Sequence, residues 1–380
     1  MDFSFSPGQE TLRGHLKELL GDVCPPEYAE RCDNEERPPR EAYEALAKHG
    51  WFGLALPVEY GGTGGSAIDL AILLEEAGRH FEELAMWLFR TLTWGGYAIM
   101  QHGTREQKEK LLPKMARGEL SFCFGLTEPQ GGSDAAGLTT RATATDGGYL
   151  INGQKVFTSG MDISDYCLLV TRTSTGAKKQ QGITNFLVDT KLPGIEVRRI
   201  KTLGHRAIGT TQVFYSDVKV PASAVLGQVD QGWQALDSYL WYERLCLSAA
   251  RTGSASAAFE YALEYAKNRK QFGQPIGKFQ AVSHKLADMK VMLDVSRMLV
   301  YRFAWLMSQG KATRNDAAVL KLYTSESYKA VSDMGLQILG GYGYCMEYPM
   351  QRFFRDSRLG VIGAGTSEIQ RNIIARSLGL

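Results

Sequence analysis

The longest uninterrupted helical pattern in the chain runs from about Trp233 to Arg269, and a second long one from about Phe279 to Met307. Between them, Gly273, Pro275 and Gly277 mark a short break. Asn315 opens a third segment after Gly310, ending near Gly340, and Ser367 leads a fourth. Long helices joined by short turns lie antiparallel, so this half of the chain reads as an up-and-down four-helix bundle.

The first third is also helical. Leu12, Leu16 and Leu20 recur at helical spacing, Tyr43, Leu46 and Trp51 repeat the theme, Leu70, Leu73, Leu74 and Ala77 form another stripe, and a short helix follows over 107–115. The glycines at 61, 62, 64 and 65 read as a surface turn, because no Lys-Ser/Thr ending and no strand–loop–helix unit accompany them. Between about Ser121 and Leu226, Gly, Thr, Ser and Val rise and short runs alternate with turn signals at Asp146-Gly147-Gly148, Asn152-Gly153 and Leu192-Pro193-Gly194. Strands are expected over 166–171, 184–188, 195–200 and 211–215. The fold class is therefore α+β and mostly α, with an N-terminal helical domain (1–120), a middle antiparallel β-sheet or barrel domain (121–230) and a C-terminal four-helix-bundle domain (231–380). A chain of 380 residues suits two or three domains.

Composition narrows the partners. A formal net charge of +2 gives no reason to expect nucleic acid, and no apolar run is long enough to span a bilayer. Met1 to Gln9 lacks the layout of a secretion signal or an Arg-rich transit helix, which points to a cytoplasmic protein. Six cysteines without CxxC spacing point to a reducing compartment and no zinc site. His102, His205 and His284 show no metal spacing either, so no metal site is expected.

Four separated motifs, in order, resemble the acyl-CoA dehydrogenase family. They are Thr127-Glu128-Pro129 with Gly131, Gly132, Ser133 and Asp134; Asn152-Gly153-Gln154-Lys155-Val156-Phe157; Arg269-Lys270-Gln271-Phe272-Gly273 with Gly277 and Gln280; and the run from Gly363 to Gln370. The resemblance covers essentially the whole chain and implies FAD as cofactor. It places Leu126 and Thr127 on the flavin, and Ser133 near flavin phosphate or substrate. Phe157 stands beside the flavin ring where Trp is common in the family, and Ser159 near its N5 where Thr is common. A buried strand position is the plain alternative for Phe157. Arg269, Gln271, Phe272, Gln280, Gln337 and Gly341 are implied to reach the cofactor of a neighbouring subunit, so a homodimer or homotetramer with a shared FAD site is expected. Thr366 and Glu368, at the start of the last helix, complete the cofactor set. Ser367 could equally be only that helix's N-cap.

One departure decides the mechanism. Many members of the family carry the catalytic Glu where this chain has Ala364, and alanine cannot take a proton. A second group, similar to isovaleryl- and long-chain acyl-CoA dehydrogenases, supplies the Glu from the long helix, and Glu243-Arg244-Leu245 matches that pattern. In the apolar company of Trp241, Tyr242 and Leu247, burial is expected to raise the Glu243 pKa towards neutrality. Tyr242, Arg244, Ala364 and Gly365, with Ser133, are the expected substrate contacts. Tyr239, Trp241 and Tyr242 hint at a tight pocket for a short or branched chain. Arg90 lies where the family borders the acyl tail; it reads as a solvated side chain, with pairing to an acidic acyl end as the alternative.

The expected reaction is FAD-dependent α,β-dehydrogenation of an acyl-CoA thioester, with Glu243 taking the α-proton and flavin N5 the β-hydride. An electron-transfer flavoprotein or another acceptor would reoxidise the flavin. One rival keeps the chemistry but takes an acyl or aminoacyl group tethered to a carrier protein. The other is a flavin-holding assembly or scaffold protein without turnover, motivated by Ala364.

Overall fold

The computed structural model describes residues 4–380. Helix α1 (Pro7–Val23) starts at a capping box in which Ser6 and Gln9 bond each other's backbone, and it buries Leu16 and Leu20. Helices α2 (Pro26–Asn34), α3 (Arg40–Lys48) and α4 (Ala67–His80) follow. All of α4 from Leu70 to Gly78 is buried, as befits a helix enclosed on every side. The glycine-rich run before it is a turn folded onto Leu56, where a Cβ on Gly62 would lie 2.0 Å from a carbonyl oxygen.

Helix α5 (Glu82–Arg90) continues without a break into a π-helical segment, Thr91–Tyr97, then α6 (Ala98–His102); α7 (Arg105–Ala116) closes the first helical region. The wide turns of a π segment are uncommon and gather at functional sites. Here Gly95 lets the segment lie close against β1, since a Cβ would meet the Phe122 ring at 2.5 Å.

The sheet contains β1 (Phe122–Gly125), β2 (Arg141–Thr145), β3 (Gly148–Ser159), β4 (Tyr166–Arg172), β5 (Ile183–Asp189), β6 (Ile195–Ile200), β7 (Thr210–Pro221) and β8 (Val225–Leu226). Its order is β6-β7-β3-β2-β4-β5-β8, with β1 beside β4. It is not wholly antiparallel. The β1–β4 ladder and the Arg141–Arg172 pair between β2 and β4 are parallel, because the β2–β3 hairpin intervenes and brings the chain back in its original direction.

Asn152-Gly153 is not a turn. It lies inside β3 at a register shift against β7, and Gly153, at φ 147°, passes so close to Thr140 that a Cβ would sit 2.6 Å from its Cα. The β2–β3 turn is made by Asp146-Gly147 instead.

Helix α8 (Gly232–Asn268) leads through a small hairpin, β9 (Lys270–Gln271) and β10 (Gln274–Pro275), to α9 (Gln280–Ser308) and α10 (Arg314–Leu339). Helices α11 (Met350–Gly360) and α12 (Ser367–Ser377) both pack on α10; the sequence pattern had not marked α11. Helix α8 packs against α4 as well as α9 and α10, so Leu74, Leu245, Val300 and Leu320 share one core. Among the described residues no helix is long and apolar enough to cross a membrane, and all six cysteines are free.

Candidate active site

Two of the motifs are joined by a buried ion pair. Lys155 Nζ lies 2.8 Å from Glu128 Oε1 and also donates to the Leu126 carbonyl at 3.0 Å. The Glu128 carboxylate further accepts from the backbone N–H groups of Thr139 and Thr140. Burial would raise the Glu128 carboxyl, but Lys155 and these donors more than offset it and hold it down to about 2. Burial pushes Lys155 down to about 8 despite Glu128. Val156 N–H donates to the Thr127 carbonyl at 2.9 Å. The loop carrying Leu126 and Thr127 is thereby fixed against the strand end carrying Phe157. Neither Glu128 nor Lys155 was singled out from the sequence, although both stand within its motifs.

Phe157 is not a buried strand residue. It sits at φ 58° beside a second register shift of β3, and its ring is 63% exposed. A large apolar side chain held out of the sheet by a left-handed backbone is strain without benefit to the isolated fold, and suits a face awaiting a flat ligand. Ser159, two residues on, shares a hydrogen bond with Thr210 Oγ1 at 3.1 Å, and Ser133 is exposed on the loop after β1. An exposed aromatic face, a nearby hydroxyl and a pinned loop form a set that fits a flavin ring.

Strand β1 is tied to the π segment, because Trp94 stacks on Phe124 at 3.9 Å and Phe122 N–H donates to Thr91 Oγ1. The π segment is tied in turn to α8. Tyr97 stacks on Tyr242 at 4.1 Å, and Thr93 Oγ1 lies 3.7 Å from Cys246 Sγ. Glu243 lies between those two contacts along α8, 8% exposed, with its Oε2 buried and unpartnered. Burial raises its carboxyl to about 7, against the opposing charges of Arg244, Arg251, Lys321 and Arg90.

Arg244 is buried, it opposes the rise of Glu243 more than the other three basic groups do, and among the described residues its Nε and Nη1 have no partner. Arg90 is likewise buried rather than solvated. Tyr239 belongs to a different part of the wall, packing edge-on to Trp94 and His102.

The loop before α12 approaches the same region. Ala364 and Gly365 both take positive φ, 55° and 82°, and Ala364 packs against the cluster containing Tyr242 and Leu245. Lys321 Nζ holds the Gly365 carbonyl at 2.7 Å, and Gln370 Nε2 donates to it at 2.9 Å. Burial lowers Lys321 to about 7, with Arg251 and Arg244 adding to the effect. Thr366, not Ser367, is the N-cap of α12, accepting from Ile369 N–H, while Glu368 is exposed in its first turn.

The remaining motif residues gather elsewhere. Arg269, Gln271, Gln280, Gln337 and Gly341 are all exposed, and Phe272, at φ 51° on the hairpin tip, is 93% exposed. Arg269 lies over the Tyr342 ring at 5.5 Å and Phe272 meets Phe279 edge-on, so these residues share one surface. Among the described residues, no hydrogen bond, ion pair or ring contact links this surface to Phe157 within the chain.

Known proteins share this fold along its whole length. The models of the acyl-CoA dehydrogenase N-terminal, middle and C-terminal domains match residues 6–119, 123–218 and 230–379. A probable acyl-CoA dehydrogenase of Bacillus subtilis, YngJ, is 36% identical over 100% of both chains. The caffeyl-CoA reductase–Etf complex subunit CarC of Acetobacterium woodii is 33% identical over 98% of this chain and 99% of its own. The butyryl-CoA dehydrogenase structure from Megasphaera elsdenii superposes with a TM-score of 0.95 at 34% identity, over 100% of each chain. The chain belongs to the acyl-CoA dehydrogenase family and is an FAD-dependent oxidoreductase of acyl-CoA thioesters.

Proposed function

We propose that Glu243 is the base of this dehydrogenation. The supporting observation is a buried carboxylate with one free oxygen, raised to about 7, on α8 where α8 meets the π segment and the apolar cluster on which Ala364 packs. A base near neutrality is ionised often enough to act, yet basic enough to take a proton α to a thioester. FAD, when bound, would supply the acceptor for the β-hydride. Phe157 would give it a face and Ser159 a hydroxyl, and the Glu128–Lys155 pair keeps Leu126 and Thr127 in place. Lys321 fixes the Gly365 carbonyl so that the left-handed Ala364–Gly365 turn, small enough to leave room for a substrate, keeps its shape.

The exposed surface around Phe272 completes the FAD site of a second copy, giving a homodimer or homotetramer. A 93% exposed phenyl ring on a tip stapled to its own chain favours this reading. Electron-transfer flavoprotein is the physiological acceptor in this proposal, in keeping with the Etf-complex relative. A cytoplasmic location accords with six free cysteines. The named relatives favour a CoA thioester over a carrier-bound acyl group.

Exchange of the substrate α-hydrogen tests the base apart from hydride transfer. A thioester analogue that cannot lose a β-hydride should exchange its α-hydrogens into deuterium oxide with the wild type. The same exchange should be absent with Glu243→Gln, and undiminished exchange would refute the assignment.

A further inference from the structure

The β6–β7 loop reaches out of the sheet into the helical core. Ala207 and Ile208 are buried in the cluster that holds Tyr242 and Leu245, the residues on either side of Glu243 and Arg244. Two carboxylates grip the loop's backbone. Glu83 of α5, fully buried, accepts from Ala207 N–H at 3.1 Å and Ile208 N–H at 2.6 Å. Asp356 of α11 accepts from His205 N–H at 2.8 Å. Away from water, a carboxylate that takes two consecutive N–H groups is a strong and directional hold.

Beyond Ile208 the loop holds the end of β3. Gly160 N–H donates to the Gly209 carbonyl at 3.0 Å, Thr211 Oγ1 donates to the Thr158 carbonyl at 2.6 Å, and the Thr210 and Ser159 hydroxyls share their 3.1 Å bond. The Ile208 side chain lies beside Gly160, where a Cβ would come within 3.3 Å of it. With Thr210 donating, Ser159 keeps its own hydrogen for an acceptor outside the sheet. A second connection leaves Glu83 in the other direction. Helix α5 runs on into the π segment, which meets α8 through Tyr97 with Tyr242 and Thr93 with Cys246, on either side of Glu243. Glu83 therefore stands where the strand bearing the hydroxyl and the helix bearing the carboxylate are joined.

We propose that Glu83 is a positioning residue for flavin reduction, which sets the Ser159 hydroxyl in register with Glu243 by holding the Ala207 and Ile208 N–H groups. This rests on Ser159 as the hydroxyl beside the flavin and on Glu243 as the base. Hydride and proton leave adjacent carbons of one substrate, so the two halves of the site must keep a fixed separation. A displacement near 1 Å is worth about a hundredfold in rate. Burial, with Asp356 adding to it, raises the Glu83 carboxyl against the opposing effect of His205 and the two N–H donors. A neutral amide is thus close to a state the fold already accommodates, yet it offers one acceptor oxygen for two donors.

A double-variant cycle tests this. Wild type, Glu83→Gln, Ser159→Ala and the pair together are reduced anaerobically with the fastest of butyryl-, isovaleryl-, hexanoyl- and octanoyl-CoA, each after a check of flavin content and melting temperature. The same cycle is read on the midpoint potential of the bound flavin, which requires no substrate. Glu83→Gln should slow reduction about tenfold or more, and the pair should be no slower than the slower single variant, within about twofold. Losses that multiply would overturn Glu83 as acting through Ser159 and leave Ser159 in place. A wild-type rate and potential in Ser159→Ala would overturn the Ser159 assignment and the role of Glu83 with it. Thr210→Val leaves the Glu83 carboxylate intact and should slow reduction as Glu83→Gln does. A wild-type rate and potential there would break the chain between the two residues and overturn the proposal, even if the glutamine variant fails to fold.

Discussion

Lys155 and Glu128 meet at 2.8 Å with their side chains 0% and 2% exposed, and this pair joins the strand bearing Phe157 to the loop bearing Thr127. Breaking a buried pair by removing one partner leaves the other charge uncompensated, at a cost of about 3–5 kcal/mol. Lys155→Met should therefore lower stability by that order and release FAD. Isothermal unfolding in urea and flavin retention on gel filtration read the two effects. A variant of wild-type stability that keeps its flavin would contradict the role given to the pair.

Phe157 makes an opposite prediction about the fold. Its ring is exposed and its backbone left-handed, so Phe157→Ala should leave the apoprotein's stability nearly unchanged. Loss of an aromatic stacking partner should weaken FAD binding by about two- to tenfold, the range that 0.5–1.5 kcal/mol covers. Fluorescence titration of apoprotein with FAD measures it; unchanged affinity would remove Phe157 from the flavin site.

Much of this was legible in the residues. Helices α8 and α9 and strand β6 follow from local pattern alone, and the burial of Glu243 follows from the company of Tyr242 and Leu247. What escaped were features made by charge or by tertiary contact. Helix α11 is short, and beside Met350 and Phe353 it buries polar residues such as Asp356, whose carboxylate accepts from His205 N–H, so its apolar stripe is too brief to stand out. Asn152-Gly153 has the composition of a hairpin turn, yet Gly153 is there to let Thr140 pass. Lys155 and Lys321 look solvated in a sequence because their burial depends on partners far along the chain, and Arg90 because the elements that cover it are distant in sequence.

Phe272 supports a prediction about assembly. Placing a charge on the exposed hairpin ring, as in Phe272→Asp, should dissociate the oligomer and weaken FAD binding together while the protomer stays folded. Sedimentation velocity with absorbance at the flavin band follows both at once. An assembly of unchanged size that keeps its flavin would rule out the shared site.

The pH dependence follows from Glu243, moved from an ordinary 4.5 to about 7. A carboxyl raised on folding binds its proton more tightly in the native state. Its contribution is fully present below pH 4.5 and is lost as pH rises through 7. Above that, the buried charge costs at most about 3 kcal/mol, at 1.36 kcal/mol per pKa unit. Glu243→Gln should therefore melt higher than the wild type at pH 8, with the gap closing by pH 5. Flavin reduction should show an ascending limb near pH 7. Lys321→Met, which removes a facing positive charge, should move that limb to higher pH. A wild type that gains stability relative to Glu243→Gln between pH 5 and 8 would contradict the sign.

The most direct test is anaerobic bleaching of the visible flavin band by acyl-CoA thioesters, neutral and carboxylate-ended, in the wild type and in Glu243→Gln. Bleaching in the wild type and none in the variant, with FAD bound equally in both, is the predicted result. Equal bleaching in both proteins would contradict Glu243 as the base.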